Sequence, residues 1–432
     1  MDHLQSIDKW VKAHRNELLE QLSGLVRTRT DNTPPSGREK AGQEYLHRLM
    51  APAFPERDLD LFELDEVPGL REHPLFFTHI DGLERQYRDR PNFVARLPGS
   101  GGGASLVFSG HMDTVPVMEQ RWEAFADPYS GGIKEGKMYG RGVADMKAGT
   151  FCGFAALRCL KELGIRLKGD VYAESVVDEE YGGVNGTIAC RLRYPDTDFA
   201  ILSEPSGLTA IIETAGGSIW KATVEEGGPG GYAMKTNPIY KLAHIVHCLR
   251  EYDREVYSKL AYPSDYKGQM DLALWPFLVH AGGRNYLENA SYVPKSGCAY
   301  FYLPVLFGTS EPEVRAQFTG FMNRRLAELE DFRDGLPTFQ TVLRWLEPHK
   351  TDVRHPGMKA VREGFRELGL PYVEQALSLP CDAFAFQRAS KTEVVVIGPR
   401  GGNYHGIDEY VEIESVFDLI RLMAVTAVAY CS

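Results

Sequence analysis

Five short segments of this chain carry the acidic and histidine side chains that could hold two divalent cations beside a base. They are Ser109-Gly110-His111-Met112-Asp113, Gly140-Arg141-Gly142-Val143-Ala144-Asp145-Met146-Lys147, Asp178-Glu179-Glu180-Tyr181-Gly182-Gly183, Ser203-Glu204-Pro205-Ser206 and Tyr404-His405-Gly406-Ile407-Asp408-Glu409. A cation pair needs a bridging carboxylate, flanking carboxylates, neutral imidazoles and a separate base to activate water. His111 and Asp113, two apart on an extended segment, point the same way, and a ligating histidine usually gives its other ring nitrogen to a carboxylate. Asp145 sits after glycines that let the backbone approach an ion, and its two oxygens can bridge a pair. Three consecutive carboxylates at Asp178-Glu179-Glu180 are costly unless cations or water neutralise them. The functional reading makes one glutamate a ligand and its neighbour a free base. Taken singly, each residue has an ordinary explanation: a turn histidine, a helix N-cap at Asp145, a solvated acidic loop, a loop glutamate, a surface histidine. The ordered combination is the specific signal. His244 and His247, at i and i+3, read instead as a solvated helix face.

The elements that must position these residues follow from periodicity. Leu4 to Val26 reads as one amphipathic opening helix, and residues 33–38 as a loop. Strands are expected at 92–97, 105–109, 171–177 and 199–202, with a helix from Lys147 to Leu163 stopped by Gly164. Three successive strand ends then deliver His111 with Asp113, the 178–180 triad, and Glu204. Ligands collect at the carboxyl ends of strands in open α/β sheets. The charged, proline-punctuated segment 55–92 shows no clear pattern. From about 214 to about 350 the order becomes strand, helix, strands, helix, strand: 218–224, 238–252, 298–303, 312–332 and 338–346. This α+β stretch reads as an insertion. A helix at 358–368, a strand at 393–397 and a C-terminal helix at 415–430 return to the first style. The expected division is residues 1–213 with 351–432, and 214–350 between them.

The 432 residues are too many for one small core. With 48 basic and 59 acidic residues the net charge is −11, which argues against a nucleic-acid partner. No run reaches the roughly 18 apolar residues of a membrane span, and no secretory signal is visible. The seven cysteines form no CxxC pair, so free thiols in a reducing cytoplasm are expected.

With these motifs quoted, the sequence resembles the M20 metallopeptidases and deacylases. This family includes acetylornithine deacetylase, succinyl-diaminopimelate desuccinylase, aminoacylase-1 and a glutamate carboxypeptidase. The resemblance spans nearly the whole chain and rests on Gly110-His111-Met112-Asp113-Thr114-Val115-Pro116 followed by Gly140-Arg141-Gly142 and Asp145-Met146-Lys147. It implies an α/β zinc-peptidase-like catalytic domain, with a mixed, mostly parallel sheet covered by helices, and an inserted α+β lid that is the family's usual dimerisation domain. It implies two zinc ions, with cobalt or manganese possible. His111 and Glu204 would bind one, Glu180 and His405 the other, and Asp145 would bridge them ahead of a cis peptide. Asp113 would orient His111, and Glu179 would be the general base and acid. Asp382 matches a family position near the site, although Pro380-Cys381 replaces the usual glycine and hydroxyl residue before it.

The departures lie in the insertion. The family's lid histidine, about nine residues before the asparagine matched by Asn237, falls in Gly227-Gly228-Pro229-Gly230-Gly231. Phe301 stands where an arginine for a substrate carboxylate is usual, and Ser291 stands for an asparagine. Losing an oxyanion donor costs roughly 10²–10³ in rate, so Arg284, His280, Tyr232 and Lys235 are candidate replacements. Asp382, Asn289 and Arg400 are further candidates for substrate contact. Alternatively the substrate lacks an α-carboxylate, and the aromatic strand binds a less charged group. The expected activity is deacylation of a small N-acyl amine or N-acyl amino acid. The alternatives are a dipeptidase or carboxypeptidase, a biosynthetic enzyme, and a non-catalytic binding protein on this scaffold. A cytoplasmic homodimer through the lid is expected with them.

Overall fold

A computed structural model of the chain describes residues 3–118, 121–225, 236–260, 272–283, 288 and 294–432. They divide into two compact units: 1–212, 350–375 and 381–432, and 213–349 with 376–380. The expected catalytic segment 351–432 is thus interrupted. Residues 376–380 go with the second unit, where the Ala215 N–H bonds the Leu377 carbonyl at 2.7 Å.

In the first unit, short apolar runs become buried strands because both faces are covered. Its longer strands are β1 (Leu59–Glu63), β2 (Pro91–Leu97), β3 (Leu106–His111), β4 (Val171–Val176), β5 (Phe199–Leu202), β6 (Ala210–Thr214) and, after the insertion, one at Glu393–Val396. β3 lies between β4 and β5, parallel to both, and the Glu393–Val396 strand continues the parallel set beside β5. β2, β1 and β6 run antiparallel at the two sides. Four parallel strands therefore end at one edge, and three of them lead into His111, Asp178 and Glu204.

Helices cover both faces. α1 (His3–Ala13), α2 (Arg15–Arg27), α3 (Lys40–Met50) and α4 (Ala148–Glu162) precede β4, and α5 (Asn185–Arg193) follows it. Along β4, Val171 and Ala173 enter the main apolar core with Phe151, Phe154 and Leu157 of α4. Glu174 pairs with Arg191 on α5, so alternate residues serve opposite layers. α4 is buried along most of its length and stops at Gly164, whose φ of +65° ends it without a Cβ penalty. The opening segment is two helices rather than one. They break at His14, whose φ of −96° and ψ of 6° leave the helical region, although its N–H still bonds the Trp10 carbonyl at 3.0 Å. Residues 55–92 contribute β1, a short pair at His79–Ile80 and Leu83–Glu84, and the start of β2.

Among the described residues the second unit is a four-stranded antiparallel sheet with two longer helices: β7 (Gly216–Glu225), α6 (Pro238–Glu255), β8 (Trp275–Ala281), β9 (Ser296–Val305), α7 (Glu311–Leu326) and β10 (Thr338–Thr341), in sheet order β8-β9-β7-β10. Helix α7 is shorter than the pattern suggested, followed by a separate turn at Glu330–Phe332, and β10 ends at Thr341. Asn237 caps α6 by accepting the Ile239 N–H at 2.9 Å. Phe301 is fully buried here, 5.3 Å from Phe318 between ring centres. It is a core residue, which corrects the idea that it meets substrate. Among the described residues no helix is long and apolar enough to cross a membrane.

One close approach links the fold to the site. A Cβ on Gly149, in the first turn of α4, would stand 2.0 Å from the carbonyl oxygen of Ser203, the residue before Glu204. Gly149→Ala is therefore expected to force backbone apart and to destabilise by about 1–3 kcal/mol. Denaturant unfolding of the purified variant checks this.

Candidate metal centre

The four strand ends and their following loops bring six side chains together, all within the first unit. Asp145 is at the centre. Its Oδ1 lies 3.3 Å from His111 Nε2 and its Oδ2 lies 3.3 Å from His405 Nε2. His405 Nε2 also lies 2.9 Å from Glu180 Oε2. His111 Nε2 is 3.8 Å from both Glu179 Oε2 and Glu204 Oε1. Candidate ligand atoms of His111, Glu179 and Glu204 fall within 4.8 Å of one another, as do those of His111, Asp145 and Glu180. Distance from His111 alone does not tell Glu179 from Glu204. Their anchoring differs: Glu204 follows a buried strand, and Glu179 sits on a loop.

The residue types fit a cation pair. His111 Nδ1 faces the Asp113 carbonyl at 2.9 Å. A carbonyl only accepts, so Nδ1 carries the proton and Nε2 presents its lone pair to the cluster. Asp145 divides its two oxygens between the two imidazoles, as a bridging ligand must. The peptide after it is cis, and its side chain faces the imidazoles rather than capping α4.

Electrostatics show what such a cluster lacks. Burial alone would pull His111 down, but Glu204, Asp145 and Glu179 outweigh it and hold the imidazole well above 6.5. Burial also opposes the charge on His405, yet the hydrogen bonds it donates to Asp145 and Glu180 push it up to about 11. Burial raises Glu179 well above 4.5, and the charges of Glu204, Asp382 and Glu180 add to that against His111. Burial raises Glu204 in the same way, with Asp145 and Asp382 adding. Glu179, Glu180 and Glu204 thus hold their protons for want of positive charge, while Asp145, which burial would raise, is held low by its hydrogen bonds with both imidazoles. Two dications in the same seats would supply that charge.

The supports are ionic as well. The Asp113 carboxylate accepts the backbone N–H groups of Glu179 (3.1 Å) and Glu180 (3.0 Å). Its nearest approach to the His111 ring is 3.6 Å. Asp113 therefore holds the glutamate loop, while its backbone carbonyl orients His111. Glu409, fully buried, accepts the N–H groups of Gly142, Ala144 and Asp145 at 2.9–3.1 Å and pairs with Arg141 at 2.8 Å. Arg141 also donates to the carbonyls of His405 (3.2 Å) and Gly406 (3.0 Å), tying the Asp145 loop to the His405 loop. Both residues lie inside the quoted motifs, but nothing in their types alone marked them as supports. Asn32, which donates to Asp113 at 2.8 Å, had no sequence signal at all.

The remaining candidates separate. Asp382 is buried with Thr187 donating to Oδ2, and its Oδ1 has no hydrogen-bond partner among the described residues. Burial pushes its carboxyl up to about 7 against Thr187 and His111. Arg400 pairs with Glu412 at 3.0 Å and Asp418 at 3.8 Å. His280 lies exposed on β8 of the second unit. Arg284, Tyr232, Lys235 and Asn289 lie outside the described residues, as do Ser291 and the 227–231 stretch. His244 pairs with Asp331 and His247 with Glu251, as a solvated face would.

The chain is similar to known proteins in sequence and in fold. The model of Peptidase family M20/M25/M40 matches residues 107–429. The chain is 25% identical to N-formyl-4-amino-5-aminomethyl-2-methylpyrimidine deformylase of Bacillus subtilis, over 99% of this chain and 98% of that protein. It is 39% identical to succinyl-diaminopimelate desuccinylase of Methylobacterium radiotolerans, over 31% of this chain and 33% of that protein. Its fold matches human carnosine dipeptidase 1 with a TM-score of 0.72, at 15% identity, over 99% of both chains.

The carboxyls with raised values set the pH response of the metal-free protein. A group whose folded value exceeds its unfolded one stabilises fully below the unfolded value, and that stabilisation is lost as pH rises through the folded one. For Asp382 and Glu409 the window runs from 3.8 or 4.5 to about 7. For His405 it runs from 6.5 to about 11. Asp145, lowered in the fold, contributes stability that is present above 3.8 and does not vary across this range. Chelator-treated protein is expected to lose Tm between about pH 5 and about pH 8, and added Zn2+ to reverse the loss. Thermal scans with and without metal check it.

Proposed function

The chain belongs to peptidase family M20/M25/M40, and from that premise we propose that it is a dinuclear metal-dependent amidohydrolase that removes a small acyl group from an amine. The observation that carries the reading is Asp145, with one oxygen toward each of two imidazoles. His111, Asp145 and Glu204 would hold one cation, and Asp145, Glu180 and His405 the other. Zinc fits these ligands, as do cobalt and manganese. Bound there, two dications supply Lewis-acid polarisation of the acyl carbonyl and make water more acidic.

The chain's own residues do the rest. Glu179 takes the proton of the attacking water and returns it to the leaving amine. It lies beside the cation seats, with Oε2 3.8 Å from His111 Nε2, where a carboxylate can take a proton from water and give it back. Asp113 fixes the loop that carries Glu179. Asp382 offers Oδ1 as an acceptor for a substrate N–H. The Arg141–Glu409 pair keeps Asp145 and His405 in register.

Two observations favour a neutral N-acyl amine, with an N-formyl arylmethylamine as its first representative. The relative matched over almost the whole chain is a deformylase of an aminomethylpyrimidine. The position where the resemblance places a carboxylate-binding arginine is Phe301, buried in a core. The seven unpaired cysteines support a cytoplasmic enzyme. The edge strand β8 supports a homodimer through the second unit, because Trp275, Phe277, Leu278 and Val279 are about half exposed on it.

Glu179→Gln is expected to lower kcat by about 10²–10⁴ while elemental analysis still finds two cations per chain. A substrate panel checks the acyl reading. N-formyl arylmethylamines should be hydrolysed with higher kcat/KM than N-acyl amino acids or dipeptides, and faster dipeptide turnover would reject the deacylase assignment.

A further inference from the structure

The segment that showed no pattern in the sequence supplies the back of the active-site loop. Asp178, first of the three consecutive carboxylates, adopts a φ of +71° and turns its side chain away from the cluster into full burial. There Arg85 and Arg90 both reach its Oδ1, Arg90 at 3.2 Å. Tyr87 donates to its Oδ2 at 2.5 Å. Asn32 donates to Asp178 at 3.1 Å and to Asp113 at 2.8 Å, joining the two carboxylates that bracket the loop. Arg85 also donates to the carbonyl of Tyr181. Arg90 is held in turn by Glu39, which accepts from its Nε at 3.0 and 3.1 Å.

We infer that Arg85, with Tyr87, Arg90 and Asn32, is a positioning apparatus for Glu179 and Glu180. Three features separate it from ordinary packing. The apparatus grips the loop on both sides of the two glutamates: Asp178 before them, the Tyr181 carbonyl after them. The N–H groups of Glu179 and Glu180 themselves go to Asp113, which Asn32 ties to Asp178. The cluster is also internally balanced, with Asp178 and Glu39 against Arg85 and Arg90, so it fixes the loop without adding net charge to the site. The two acceptors take separate nitrogens of Arg85, Nη1 toward the carboxylate and Nη2 toward the carbonyl, a fork that the single nitrogen of a lysine does not reproduce. A displacement of about 1 Å in a catalytic group costs on the order of 10² in rate, so a loop held this way protects turnover directly.

The inference rests on Glu179 being the base and Glu180 a ligand, and the experiment separates the two claims. Arg85→Lys, Tyr87→Phe and Glu179→Gln are made in the full chain. Each is measured for kcat and KM on an N-formyl arylmethylamine, for Tm, and for calorimetric Zn2+ binding to the metal-free protein. Arg85→Lys is expected to lower kcat by about ten- to a hundredfold with KM changed by about twofold or less, and to weaken one of the two Zn2+ sites by about ten- to a hundredfold. Tyr87→Phe should shift both quantities in the same direction by less. If both variants lose Tm but keep wild-type kcat and both Zn2+ affinities, while Glu179→Gln is inactive, the cluster is packing and the positioning claim is overturned. If Glu179→Gln keeps full turnover, the base assignment falls, and unchanged Zn2+ affinities in Arg85→Lys overturn the positioning of Glu180 as well. Should Arg85→Lys not fold, Tyr87→Phe carries the same test.

Discussion

Carboxylates crowded at one edge of a sheet repel one another, and the rest of the first unit is arranged around that repulsion. Asp113, Asp145, Asp178, Glu179, Glu180, Glu204, Asp382 and Glu409 all lie on the strand ends or the loops beside them. In water such a set would splay apart. Here burial removes the solvent that would screen it, so each charge needs a specific partner. Those facing the cavity have two imidazoles and seats for cations. Asp178 and Glu409, facing the protein, have Arg85, Arg90 and Arg141. Asp113 has two backbone N–H groups and Asn32. The site is thus two shells, one completed by metal and one completed by arginine.

This arrangement explains what was legible in the sequence. The front shell was visible because each of its members follows a short apolar run or a glycine-rich loop, and those patterns predict strand ends. The parallel centre of the sheet, helix α4 with its Gly164 stop, and the α+β character of the insertion were visible for the same reason: apolar periodicity reports burial. The back shell was not visible. Residues 78–92 fold against the core through ion pairs and hydrogen bonds to residues far away in sequence, and no periodic pattern encodes such partners. Arg85 and Arg90 lie in the charged segment that showed no clear pattern, and both are almost completely buried. The break at His14 was missed because one residue's departure from helical backbone angles leaves no trace in hydropathy. The role of Asp113 was half read. The pairing of histidine and aspartate is real, but the backbone carbonyl makes the shorter contact, and the carboxylate does a different job.

The division of labour between the two units bears on how such a protein changes its substrate. All six residues facing the cation seats and all of their arginine supports lie in the first unit. Three departures from the M20 pattern lie in the insertion, at Phe301, at Ser291 and in the 227–231 stretch, and one lies outside it, at Pro380-Cys381. Phe301 shows what such a change costs the scaffold: almost nothing, since its ring joins Phe318 and Trp220 in a core that an arginine could not have entered unpaired. The residues facing the cation seats and most of the departures from the M20 pattern therefore fall in different units. The electrostatic demands on the cation seats are strict, because removing one partner leaves a buried charge exposed to its like neighbours. The demands on the insertion are those of any small α+β core, which tolerates apolar replacement of similar volume. A chain under these two constraints can change residues of the insertion while the buried charges at its strand ends stay as they are.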